Sequence, residues 1–157
     1  MFGGRGFIET TQPANIIGVI DRELLVRVLE SYCYPLEAGL TVYYPMRLPA
    51  SRGELLRIES EQVRKRFFFE VCGRYRGYGI KCETACRECD ERIVLKYYGG
   101  EWRGPKLYHC HLRLWDMTYP LYVGGNLLGV LFGGQIIVGN TVSDWRKAVS
   151  FRQGCMK

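Results

Sequence analysis

Five cysteines in the middle of the chain form its densest group of chemically reactive side chains. They are Cys72, Cys82, Cys86, Cys89 and Cys110. Thiolate sulfur is a soft, charged ligand for zinc and for iron–sulfur clusters, and a closed site of either kind takes four such ligands. We therefore expect a zinc ion or an iron–sulfur cluster on Cys72, Cys86, Cys89 and Cys110, with Cys82 as a substitute for one of them.

Two other interpretations of these cysteines stay open. Cysteine is among the most buried residue types and often packs as a small apolar side chain. Cys86, Cys89, Ile93 and Tyr97 recur at helical spacing, and the last two are typical core residues. A redox-responsive group of thiols and simple packing therefore stand beside metal binding.

A catalytic use of Cys110 is the weakest interpretation. His109 and His111 flank this cysteine, and a cysteine beside a histidine can act as a nucleophile with its base. In a strand, however, neighbouring side chains point to opposite faces, and the nearest orienting carboxyl is the distant Asp116. We expect that the chain is not an enzyme.

Charge suggests a further alternative, a nucleic-acid-binding zinc protein. The formal net charge is +6, and a basic cluster at 64–66 precedes a tyrosine- and arginine-rich segment at 74–81. Such a surface could stack on bases and contact phosphates. A zinc ribbon needs two paired Cys-x2-Cys knuckles, and the chain has one, at 86–89.

Local patterns predict three helices in the first 100 residues, the third of which carries Cys86 and Cys89. Asp21 is placed to cap a first helix that ends near Pro35, and residues 40–44 are predicted to form a strand. Ser51 and Glu54 have the spacing of a capping box, which predicts a second helix from there to about Cys72. A third helix is expected from about Glu83 to the glycines at 99–100.

The second half of the chain is predicted to be mostly strands. Residues 106–114 alternate, which would place Tyr108, Cys110, Leu112 and Leu114 on one face. The charge-free run 117–143 contains the turn sequence Gly124-Gly125-Asn126, so we predict a β-hairpin ending near Val138 rather than a membrane helix. Asp144 is predicted to cap a short final helix.

This order of elements predicts one α+β domain, an antiparallel sheet with helices packed on one face. The length of 157 residues fits a single domain, with residues 1–20 as an N-terminal extension. Seven cysteines cannot all pair, and residues 1–18 lack the pattern of a secretory signal. We therefore expect a cytoplasmic protein.

The segments 108–114, 119–121 and 129–136 together resemble the C-terminal half of the PocR sensory domain. That family shows Cys-His followed by Leu, a Pro-Leu step, a glycine turn and a strand that ends in Gly-Gln. Here these are Cys110-His111-Leu112, Pro120-Leu121 and Gly134-Gln135. The resemblance spans roughly 21–139 within a domain at 21–157. Arg113 stands where the family commonly has glycine.

The resemblance implies a PAS-like or GAF-like pocket for a small organic ligand, with diols and related hydrocarbon derivatives as the proposed class. It also implies an effector, a DNA-binding or histidine-kinase module in the same or another chain, and by analogy a homodimer. The pocket would lie between the sheet and the cysteine-bearing helices. The residues expected to line it are Tyr108, His111, Trp115 and Gln135.

Overall fold

The computed structural model describes residues 15–36, 38–69, 80–111 and 114–136, and for residues 67–69, 80–82, 135 and 136 the backbone alone. After a short 3-10 turn at Ile16–Gly18, the helices are α1 (Arg22–Leu36), α2 (Glu61–Val63, continuing as a π-helix through Arg64–Phe69) and α3 (Ile80–Tyr98). The strands are β1 (Gly39–Pro45), β2 (Leu55–Ile58), β3 (Lys106–His109), β4 (Trp115–Val123) and β5 (Asn126–Ile136).

The strands form one antiparallel sheet in the order β2-β1-β5-β4-β3. The longest pairing joins β4 to β5, and the turn between them uses Gly124 and Gly125 at φ 56° and 84°. Two successive residues with positive φ make the tight hairpin turn that suits the twist of the strands. The predicted α+β class, the antiparallel sheet and the hairpin are confirmed.

Helices cover both faces of the sheet rather than one. Leu40, Val42 and Tyr44 of β1 pack in a core with Leu25 and Leu29 of α1. On the other face of the same strand, Tyr43 packs in a second core with α3. Because successive side chains of a strand alternate, the fully buried β1 lies between α1 and α3. The candidate site lies in the α3 layer.

The second helix is predicted nine residues too early, with its cap at Ser51 instead of Ser60. Leu55–Ile58 is strand β2, paired with β1 from Val42 to Pro45. The Ser51 hydroxyl does contact the Glu54 carboxylate, but this pair lies in the turn that leads into β2. The helix is capped instead by Ser60, whose side chain accepts a hydrogen bond from the backbone N–H of Val63.

Other boundaries hold to within a few residues, with one exception. The Asp21 carboxylate accepts the backbone N–H of Leu24 at 3.0 Å, as predicted for the cap of α1. Strand β3 ends at His109, so Cys110 and His111 lie in a turn that the Cys110 N–H closes onto the Leu114 carbonyl. The predicted final helix at Asp144 lies outside the described residues. Among the residues described, no helix is long and apolar enough to cross a membrane.

Candidate functional site

The centre of the α3 layer is the carboxyl group of Asp90. The hydroxyl of Tyr108 on β3 donates a hydrogen bond to Oδ1 at 2.9 Å, and that of Tyr43 on β1 donates to Oδ2 at 3.1 Å. Both tyrosine rings meet Phe132 of β5 edge to face, with centroids 5.0 and 6.2 Å from it. One helix carboxyl is therefore held by two strands that β5 and β4 separate.

A second carboxyl, that of Asp116, belongs to the same face of the sheet. Asp116 on β4 pairs with Tyr108 on one side and with Gly134 on the other. It is buried, and its side chain lies directly against the backbone of Gly134, where a Cβ atom would overlap Oδ1 and stand 2.7 Å from Cγ. Glycine at this position makes room for the acidic side chain.

The two acidic groups share a poorly solvated environment. Burial, and then the negative charge of Asp116, raises the pKa of Asp90 to about 7, although the hydrogen bonds from Tyr108 and Tyr43 lower it. Burial and the Asp90 charge in turn raise the pKa of both tyrosines well above their usual range, so their hydroxyls stay protonated as donors. Near neutral pH the Asp90 carboxyl can therefore either donate or accept a hydrogen bond.

An ionic network continues from this pair towards the helix ends. Arg57 of β2 interacts electrostatically with Tyr43 and lies 3.0 Å from the Glu59 carboxylate. Glu59 also accepts from the Thr41 hydroxyl at 3.1 Å and pairs with Arg64 at 3.4 Å. Arg64 contacts Glu83 in the first turn of α3. Charged and polar side chains thus extend from the surroundings of Asp90 to the partly exposed start of α3.

The structure brings part of the predicted cysteine group together. Cys86 Sγ lies 3.6 Å from His111 Nδ1, and Cys89 is buried one turn further along α3 with its thiol against the His111 backbone. Burial raises the pKa of the Cys89 thiol. Cys110 is buried in the turn after β3.

These residues do not fit a closed metal site by themselves. Among the residues that the structure describes, no group of three or more histidine, cysteine, aspartate or glutamate side chains could hold an ion. Cys86 and His111 supply two of the four ligands that zinc takes in a structural site. Cys72 and the side chain of Cys82 lie outside the described residues.

The four predicted ligand-binding residues are dispersed. Tyr108 lies at the centre of the site, and His111 contacts Cys86 at its edge. Trp115 pairs in register with His109, its ring 3.8 Å from the imidazole, on the face opposite to Asp116. Gln135 lies on β5 next to Gly134, and its side chain is outside the described residues.

Sequence reasoning missed Tyr43, Asp90 and Asp116 as site residues. The available signal was the alternation of side chains along β4, which places Asp116 on the same buried face as Thr118 and Pro120. An acidic residue at a core position of a strand is rare enough to indicate a site. On α3, the corresponding signal was an acidic residue beside the buried stripe of Cys89 and Ile93.

The chain is similar to a known protein family. A family model described as the sensory domain found in PocR matches residues 55–153, from β2 past the end of β5 and over more than half of the chain. No curated protein and no solved structure matches the chain. This chain belongs to the PocR sensory-domain family.

Proposed function

We propose that this protein is a signal-transduction sensor that binds a small hydroxylated organic molecule, such as a diol, at the Asp90 carboxyl. The observation that carries the proposal is the half-buried Asp90 group, held by the Tyr43 and Tyr108 hydroxyls beside a second carboxyl. Membership of a sensory family supports ligand sensing in general. The ligand class rests on the chemistry of this cluster.

The cluster suits hydroxyl groups because it offers both donors and acceptors. An alcohol O–H donates one hydrogen bond and accepts others, so a ligand with two hydroxyls needs mixed partners at close spacing. A protonated Asp90 donates, the Asp116 carboxylate accepts, and the tyrosine hydroxyls do either. The apolar surroundings supplied by Phe132 and Ile93 suit the hydrocarbon part of such a molecule.

The same contacts offer a route from ligand to signal. Tyr43 and Tyr108 lie on β1 and β3, three strand spacings or about 14 Å apart. Asp90 joins both strands to α3. A ligand hydroxyl that replaces one tyrosine would release α3 from that strand and favour a different position of the helix. We infer that α3 carries the response.

The remaining parts of the proposal follow from the family and from the thiols. An effector module, DNA-binding or histidine kinase, would receive the signal, and a homodimer would couple two such domains. We propose the cytoplasm as the compartment, since the four cysteines of the described residues, Cys33, Cys86, Cys89 and Cys110, are all free thiols. No catalytic step is proposed.

The test is a thermal-shift screen of ethylene glycol, propylene glycol, glycerol and matched organic acids, followed by calorimetry on any compound that stabilises the protein. A ligand that binds only the folded state raises Tm with concentration. We expect a hydroxylated compound to bind the wild type and to bind Asp90→Asn and Tyr108→Phe at least several-fold more weakly. The matched control is Glu88→Gln, an exposed carboxyl on the same helix. Undiminished binding by both site variants would reject this site.

A metal ion or iron–sulfur cluster as the signal is the second proposal, and the contact between Cys86 and His111 favours it. The test is metal analysis with an absorption spectrum on protein purified without oxygen. Near-stoichiometric zinc or iron, lost in Cys86→Ser and Cys72→Ser, would support it. Absence of metal from anaerobic protein would remove it and leave the thiols in redox or packing roles.

A further inference from the structure

A second concave site lies at the C-terminal end of α3, whereas the Asp90 carboxyl lies at the middle of that helix. It is a cleft of about 760 Å³ between the last turn of α3, the segment that follows it and the β4–β5 hairpin. Tyr97 and Tyr98, which border it, come about two helical turns after Asp90, or roughly 10 Å along the helix. The cleft is therefore separate from the cluster proposed above.

Aromatic side chains dominate the lining of this cleft. Tyr97, Tyr98, Trp102 and Tyr122 all border it. Trp102 is held in place, with its ring edge to face against Tyr97 at 5.5 Å and the Lys96 ammonium 5.2 Å from its centre. Fixed aromatic rings around a cleft of this size favour a planar ligand that can stack on them.

The two tyrosine hydroxyls of α3 at the cleft differ in whether they have hydrogen-bond partners in the protein. The Tyr97 hydroxyl is fully used, at 2.6 Å from Thr118 Oγ1 and 3.0 Å from the Gly104 carbonyl. The Tyr98 hydroxyl oxygen is buried and has no hydrogen-bond partner among the described residues. Buried hydroxyls without a partner are uncommon in folded proteins. Because Tyr98 borders the cleft, a small rotation of its side chain would bring this hydroxyl to a ligand there.

Charge decides which planar ligand fits. Arg103 borders the cleft, is exposed, and makes no ion pair or hydrogen bond with the rest of the described chain. Its neighbour Lys96 is already paired with Glu101 at 3.3 Å. An available guanidinium beside an unpaired tyrosine hydroxyl offers donors that suit a carboxylate.

We propose that this cleft binds a planar aromatic carboxylate, with the ring stacked between Trp102 and Tyr122 and the carboxylate held by Arg103 and the Tyr98 hydroxyl. The site is independent of the Asp90 cluster. It would give the sensor a second input, an aromatic acid, at the C-terminal end of the same helix.

The probes are naphthoate, its uncharged counterpart naphthamide, and the saturated decalin carboxylate, each titrated by calorimetry into the full chain. We expect naphthoate to bind and the other two compounds to bind at least about tenfold more weakly. Naphthamide lacks the charge, and decalin carboxylate lacks the aromatic plane. Arg103→Gln should weaken naphthoate by about tenfold and Tyr98→Phe by several-fold. Arg27→Gln on α1 and the exposed Tyr119→Phe are the matched controls and should bind as the wild type does.

Three results would overturn the proposal. The first is no naphthoate binding at millimolar concentration, and the second is equal binding of naphthoate and naphthamide. The third is binding that Asp90→Asn abolishes and Arg103→Gln leaves intact, which would assign the anion to the other site. Because Arg103 is exposed and Tyr98→Phe removes one oxygen, both variants are expected to fold.

Discussion

The side chain of Asp116 occupies the space that a Cβ atom at Gly134 would fill. An atom at that position would overlap Asp116 Oδ1 and lie 2.7 Å from its Cγ. Asp116 and Gly134 are direct partners in the β4–β5 ladder, and a close-packed interior leaves little room for either side to move. The glycine and the acidic residue therefore depend on each other.

Replacing Gly134 by alanine should destabilise the protein by about 1–3 kcal/mol, the usual cost of overpacking a close-packed site. Denaturant unfolding measures this change. Gly104→Ala, where a Cβ would meet nothing within 4 Å, is the matched control and should stay within about 0.5 kcal/mol of the wild type. In the double variant with Asp116→Ala the penalty of Gly134→Ala should shrink, because the clashing carboxyl is gone. An equal penalty with and without Asp116 would contradict the contact.

Those parts of the fold that depend on local signals could be predicted from the sequence. The Asp21 cap, α3 and the Gly124-Gly125 turn each depend on residues a few positions apart. Strand β2 could not be found this way, because Leu55–Ile58 becomes a strand by pairing with β1 across a turn. The Ser51–Glu54 pattern is a real side-chain contact, but it lies in the turn before β2 and does not cap a helix.

The candidate site was beyond local reasoning for the same physical reason. Tyr43 lies 47 residues before Asp90 and Tyr108 lies 18 residues after it. No spacing in the chain indicates that their hydroxyls meet one carboxyl; the sheet order does. The five cysteines are close in sequence, but α3 carries three of them, Cys82, Cys86 and Cys89, while Cys110 lies in the turn after β3.

The stability of the protein should fall between about pH 4 and pH 7 through Asp90. Its pKa is raised from 3.8 to about 7 in the folded state, so across this range the unfolded chain releases a proton that the folded chain keeps. Folding is then progressively disfavoured as the pH rises, and the loss is complete above the folded pKa. The Asp90→Asn variant has no ionisable group at this position and should escape this loss.

The measurement is denaturant unfolding of both proteins at about pH 5 and about pH 8. From the lower to the higher pH, the free energy of unfolding of Asp90→Asn should rise relative to that of the wild type by on the order of 2 kcal/mol. The contributions of other titrating groups cancel when the variant is compared with the wild type at each pH. Glu88→Gln should show no comparable rise in its free energy of unfolding relative to the wild type. A gap between wild type and Asp90→Asn that stays constant with pH would contradict the raised pKa.

Removing the Tyr108 hydroxyl should raise the pKa of Asp90 further. The hydrogen bond from Tyr108 stabilises the charged carboxylate and so lowers this pKa against the effect of burial. In Tyr108→Phe we expect the Asp90 midpoint, followed by carboxyl NMR, to move upward from about 7, with a loss of about 1 kcal/mol of stability. Tyr119→Phe, on the exposed opposite face, should change neither quantity. A lower midpoint in Tyr108→Phe would mean that this hydroxyl does not donate to Asp90.

The cysteines of the described chain should differ in their rate of alkylation. Thiolate is the reactive form of cysteine. Burial raises the pKa of the Cys33 and Cys89 thiols, and it also restricts the access of a reagent to them. Cys86 is partly exposed at the edge of the site, beside the His111 ring. Peptide mass spectrometry during iodoacetamide treatment of the reduced native protein should therefore find Cys86 modified at least about tenfold faster than Cys33 or Cys89. In denaturant the three rates should converge, which serves as the control for intrinsic reactivity. Equal rates in the native protein would mean that both α1, which carries Cys33, and α3, which carries Cys89, open far more readily than their packing against the sheet implies.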